Sequence, residues 1–82
     1  MPKVLELRYG ISVYIYFKDH NPPHVHVYKG DAGSHEASMI LEIGSWEVLE
    51  ASGFSERDVK KAISELKKQE PVLMEKWNDY KE

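Results

Sequence analysis

The chain has 82 residues, of which 41% are hydrophobic, 30% charged and 11% aromatic, with a formal net charge of −3. That length suits one domain spanning 1–82, and the composition excludes collagen-like, low-complexity and generally disordered chains. With no cysteine there is no disulfide framework and no thiolate chemistry, no apolar run is long enough for a transmembrane helix, and the start, Met1-Pro2-Lys3-Val4, has no apolar signal core. These features lead us to expect a cytoplasmic protein without a membrane partner.

Lys3 to Tyr9 reads as a short strand joined at Gly10 to the clearest strand of the chain, Ile11-Ser12-Val13-Tyr14-Ile15-Tyr16-Phe17. Its β-branched and aromatic residues alternate with period two. Ile11, Val13, Ile15 and Phe17 share one face; Ser12, Tyr14 and Tyr16 share the other. Lys18 to Pro23 is a loop, because consecutive prolines suit neither a helix interior nor a central strand. His24 to Lys29 is the next strand, with Val25 and Val27 opposite His24, His26 and Tyr28. Gly30-Asp31-Ala32-Gly33-Ser34 forms a turn. His35 to Ile43 follows, with Ala37, Met39, Leu41 and Ile43 on one face. The run Met39-Ile40-Leu41 breaks the alternation and predicts cover on both sides. Trp46 to Leu49 is expected as a last short strand after the Gly44-Ser45 turn.

The second half reads as helical. Ser55 is placed as an N-cap with Asp58 three residues later. Val59, Ala62, Ile63 and Leu66 then recur at helical spacing. Pro71 restarts a helix, as proline does in a first turn, and Leu73, Met74, Trp77 and Tyr80 form its apolar stripe. Strands followed by helices define an α+β class. The expected architecture is a small antiparallel sheet of three to five strands with two C-terminal helices packed on one face.

The segment with chemical potential is Asp19-His20-Asn21-Pro22-Pro23-His24-Val25-His26. His24 and His26 project from one strand face, and His20 stands across the proline loop. Three imidazoles with Asp19 form a candidate set for zinc or another divalent metal; no other cofactor is implied. Neutral imidazoles also suit acid–base chemistry, which makes His24 and His26 candidate catalytic residues. The plainer reading is a set of half-exposed histidines bonded to backbone or tyrosine. Tyr14, Tyr16 and Tyr28 are expected beside His20, His24 and His26 on one sheet face, a candidate binding surface for a protein partner or for stacked bases. Net charge does not favour nucleic acid. Arg57, Lys60, Lys61, Lys67 and Lys68 occupy the outward side of the first helix, where charge runs usually meet solvent. Ser34-His35-Glu36 is no catalytic triad, because adjacent strand residues point to opposite faces.

The succession of a Tyr-rich strand, Asp19-His20-Asn21-Pro22-Pro23-His24-Val25-His26-Val27, a glycine turn, an Ala-bearing strand and two helices ending near Trp77 resembles the bacterial domain of unknown function forty-one sixty. The positions that match its motif are His20, Pro22, Pro23, His24 and His26. The resemblance implies a small cytoplasmic α+β protein with no assigned catalytic role. It also implies a gene that neighbours another small domain, the two forming a toxin–antitoxin-like pair. Gly44-Ser45-Trp46 and Gly53-Phe54-Ser55 depart from the family's Gly-rich approach and Leu-Pro step into the first helix. The leading expectation is therefore a binding or regulatory module, in its narrower form one half of such a pair, with a neighbouring-gene product as partner. The alternative is a histidine-based or metal-dependent nuclease-like enzyme centred on His20, His24 and His26.

Overall fold

A computed structural model describes residues 3–7, 10–16, 20–31 and 33–81. The expectations that fell on Arg8, Tyr9, Phe17, Lys18, Asp19 and Ala32, and on the side chain of Tyr80, lie outside the described residues. The elements run β1 (Lys3–Leu7), β2 (Ile11–Tyr14), β3 (His24–Asp31), β4 (Ser34–Glu42), β5 (Val48–Ser52), α1 (Glu56–Lys67) and α2 (Glu70–Lys81). The strands form one five-stranded sheet in the order β1-β2-β3-β4-β5, every neighbouring pair antiparallel. This is the expected α+β architecture.

Period-two alternation decides which side of the sheet is sealed. Val13, Val25, Val27 and Leu41 are fully buried and Met39 nearly so. Ile15 joins them just beyond the assigned end of β2. The two helices cover this inner face with Ala62, Leu66, Leu73 and Trp77, while Val59, Ile63 and Met74 flank the same core. Ser55 caps α1 as expected, its Oγ accepting the Asp58 N–H at 3.1 Å. Pro71 is the second residue of α2, where a missing N–H costs nothing.

The turn between β4 and β5 differs from the expected course. Trp46 was expected to open the last strand. It instead sits in a turn with φ of 59°, a backbone region that is sterically costly for a bulky residue. Two contacts hold it there: its N–H donates to the Glu42 carbonyl at 2.9 Å, and its indole Nε1–H donates to Glu70 Oε1 at 2.8 Å. The indole is buried in the core, so β5 begins only at Val48. Among the described residues, neither helix is long and apolar enough to cross a membrane.

Candidate functional site

The outer face of the sheet, opposite the helices, carries the residues singled out from the sequence. Register places Tyr14 directly beside His26, and Ser12 beside Tyr28. On the other flank of β3, His24 faces Glu42, His26 faces Ile40, and Tyr28 faces Ser38. Ile40 is therefore half-buried on the outer face, which accounts for the interrupted alternation at Met39-Ile40-Leu41.

The rings form a connected cluster. Tyr14 stacks on Tyr16 with centroids 6.0 Å apart and meets Tyr28 edge-on at 5.5 Å. Tyr16 meets His26 edge-on at 4.6 Å, and the Tyr16 and Tyr28 hydroxyls share a hydrogen bond of 3.0 Å. Offset and edge-to-face contacts of this kind add stability beyond buried area. Tyr14, placed by the sequence on the candidate binding surface, is only 6% exposed. It is the floor of the cluster. Tyr16, Tyr28, His24 and His26 are half-buried around it.

His24 is positioned by the proline loop. Its Nδ1 lies 2.8 Å from the Pro22 carbonyl. A carbonyl only accepts, so Nδ1 carries the proton, and in the neutral ring the acceptor lone pair is on Nε2. The Pro23 carbonyl accepts the Ile43 N–H at 2.8 Å, tying the loop to the end of β4. The His24 ring lies 5.1 Å from that of His26 and 5.3 Å from that of Trp77. Thus the loop, the outer face and α2 meet at His24.

His20 is exposed and does not join the ring cluster through any ring contact described for it. It lines a shallow recess with Pro22, His24, Ile40, Leu49 and Glu50. Among the described residues, no group of three or more His, Asp or Glu is placed to hold a metal ion. Asp19, the fourth candidate ligand, lies outside those residues.

Sequence reasoning missed His35, whose ring lies 4.6 Å from that of Tyr28. Simple alternation puts His35 on the inner face with Ala37. A bulge in the β3–β4 pairing reverses that: Lys29 pairs with Ala37, but Gly30 pairs with His35. One extra residue, Glu36, flips the side of everything before it. Gly30 makes the approach feasible, since a Cβ there would lie 2.8 Å from the Ser34 carbonyl oxygen. A glycine inside a strand pattern was the available signal.

A separate groove lies between the β1–β2 edge and α1, lined by Leu7, Ile11, Lys29, Phe54, Lys61 and Lys68 among others. The five basic residues of α1 and its C-cap are all exposed, as expected, and Lys68 Nζ pairs with Glu65 at 3.2 Å.

The fold and site define a small α+β domain with one sheet face sealed by helices and the other carrying tyrosine and histidine rings. A family model described as a domain of unknown function (DUF4160) matches residues 10–78, and the chain belongs to that family. No curated protein matches the chain, and no solved structure does.

Proposed function

We propose that this chain is a protein-binding module whose partner covers the outer sheet face around Tyr16, Tyr28, His24 and His26. One observation carries the reading: the helices pack on the inner face, with Trp77 of α2 reaching the ring of His24, while the outer face bears contiguous rings preorganised by mutual contacts. Tyrosine offers large contact area with few rotatable bonds and a polar tip, which is why it is enriched at interfaces. Half-buried rings already held in place lose little further side-chain entropy on binding. In the form suggested by family resemblance, the module is one half of a cytoplasmic toxin–antitoxin-like pair, and its partner is the product of an adjacent gene. Co-expression with that product tests the reading. Tagged chain should retain the partner, Tyr16→Ser should release it, and Lys60→Ala on the exposed side of α1 should not. Loss in neither variant, or no retention by the parent chain, contradicts it.

A second reading, histidine-based hydrolysis of RNA at His24 and His26, has one observation in its favour. The Pro22 carbonyl fixes the His24 tautomer, as an orienting group does for a general base. Incubation with RNA tests it: His24→Ala and His26→Ala should each abolish cleavage that the parent shows.

A further inference from the structure

The last strand of the sheet is an open edge with an unusual charge. Among the described residues β5 pairs only with β4, and all five of its residues are exposed. Such an edge presents unpaired backbone N–H and C=O groups to any extended chain. It also displays two adjacent large apolar side chains, Val48 at 41% and Leu49 at 44% exposure. Around them stand Glu47 and Glu50, both exposed, with Glu42 at the end of the neighbouring strand. No lysine or arginine occurs anywhere between Lys29 and Arg57. The edge is thus apolar and acidic in a chain whose bases lie elsewhere.

We propose that β5 is a docking edge for an extended, basic segment of a partner protein, which adds to the sheet as a sixth strand. Charge complementarity selects this occupant over a second copy of the chain. Pairing β5 with β5 would bring two sets of glutamates together, and like charges on neighbouring strands are destabilising. The pairing of β4 with β5 also contains a bulge: Leu41 faces Val48 and Ile40 faces Glu50, leaving Leu49 as the extra residue. On the outer face, Leu49 and Glu50 wall the recess that also contains Ile40, Pro22 and His24. An incoming strand gains main-chain bonds from β5, places an apolar side chain over Leu49 and the recess, and sets a lysine or arginine against Glu47 or Glu50. This surface borders the ring cluster at His24 and Ile40, but its main-chain contacts come from β5, so the proposal stands whether or not the tyrosines are an interface.

The probe is a short synthetic peptide of alternating lysine and valine, titrated into the isotopically labelled full chain and followed by amide NMR. Saturable shifts should concentrate on residues 48–52 and on Ile40. Affinity should fall about threefold to tenfold in the Glu47→Gln, Glu50→Gln double variant and should weaken with added salt, as charge complementarity requires. A glutamate–valine peptide and a backbone N-methylated lysine–valine peptide should both fail to bind. Leu49→Ser should weaken binding without altering the amide pattern of α1 and α2, which separates docking from folding. The proposal is overturned by any of four results. These are no saturable binding up to about 1 mM, equal binding of the acidic peptide, shifts mapping to the tyrosines rather than β5, or concentration-dependent shifts at β5 without peptide. The last result would assign the edge to a second copy.

Discussion

Trp46 Nε1–H donates to Glu70 Oε1 at 2.8 Å across 24 residues of chain, joining the turn after β4 to the first residue of α2. The bond explains how a buried tryptophan tolerates a positive φ. The indole is nearly inaccessible, so removing the acceptor would leave a buried donor unpaired. Glu70→Ala should therefore cost about 1–3 kcal/mol. Glu70→Gln, which keeps an acceptor oxygen, should cost less. Denaturant unfolding of the two variants provides the comparison, and equal costs would mean that the bond does not hold the turn.

The orientation of α1 supplies a second test. Leu66 is fully buried and Lys67 exposed. Leu66→Ala should lose roughly 2–5 kcal/mol, and Lys67→Ala should stay within about 0.5 kcal/mol. Similar losses would place the helix the wrong way round.

Glycine positions probe the crossing from sheet to helix. Gly10 and Gly53 both have positive φ, but a Cβ at Gly10 meets nothing within 4 Å, whereas one at Gly53 would lie 2.9 Å from the Glu36 carbonyl oxygen and 3.0 Å from the Ala37 Cβ. Gly10→Ala should cost about 1 kcal/mol for its backbone conformation alone. Gly53→Ala must also displace β4 backbone and should cost clearly more. Thermal unfolding that ranks the two in the opposite order would contradict the close packing of the segment before α1 against β4.

Much of this arrangement was legible in the residues. Alternation at Val13, Val25, Val27, Met39 and Leu41 marks the sealed face, and Ser55, Leu66 and Pro71 mark the helices. Three features were not, each because a non-local contact overrides a local pattern. His35 changes face through the bulge opposite Gly30. Trp46 leaves the expected strand because Glu70 and the core capture its indole. Tyr14, polar by position, is covered by Tyr16 and Tyr28. Strand parity groups Tyr14, Tyr16, His24, His26 and Tyr28 on one face; it does not reach His20 in the loop, nor the packing order of the rings.

Zinc should add no specific stability. The described residues bring no three histidine or carboxylate ligands together, and a metal held only by the folded chain would raise the melting temperature by mass action. Melting with zinc, with chelator and for His26→Ala is the check. A stoichiometric, chelator-sensitive rise that disappears in His26→Ala would establish a site at the histidines.

The hydrogen bond between the Tyr16 and Tyr28 hydroxyls should make their contributions interdependent. Tyr16→Phe and Tyr28→Phe should each cost about 0.5–1.5 kcal/mol, and the double variant should cost less than their sum. Strict additivity in a double-mutant cycle would show that the cluster is not cooperative.

The outer face should be covered by a protein partner in the cell. The most direct measurement places a photo-cross-linking amino acid at Tyr28 in one strain and at Lys60, exposed on α1, in another. Irradiation of living cells should join the Tyr28 position to one discrete protein, with the cross-link lost when Tyr16→Ser is added, while the Lys60 position yields none. Equal cross-linking from both positions, or none from Tyr28, would contradict the account.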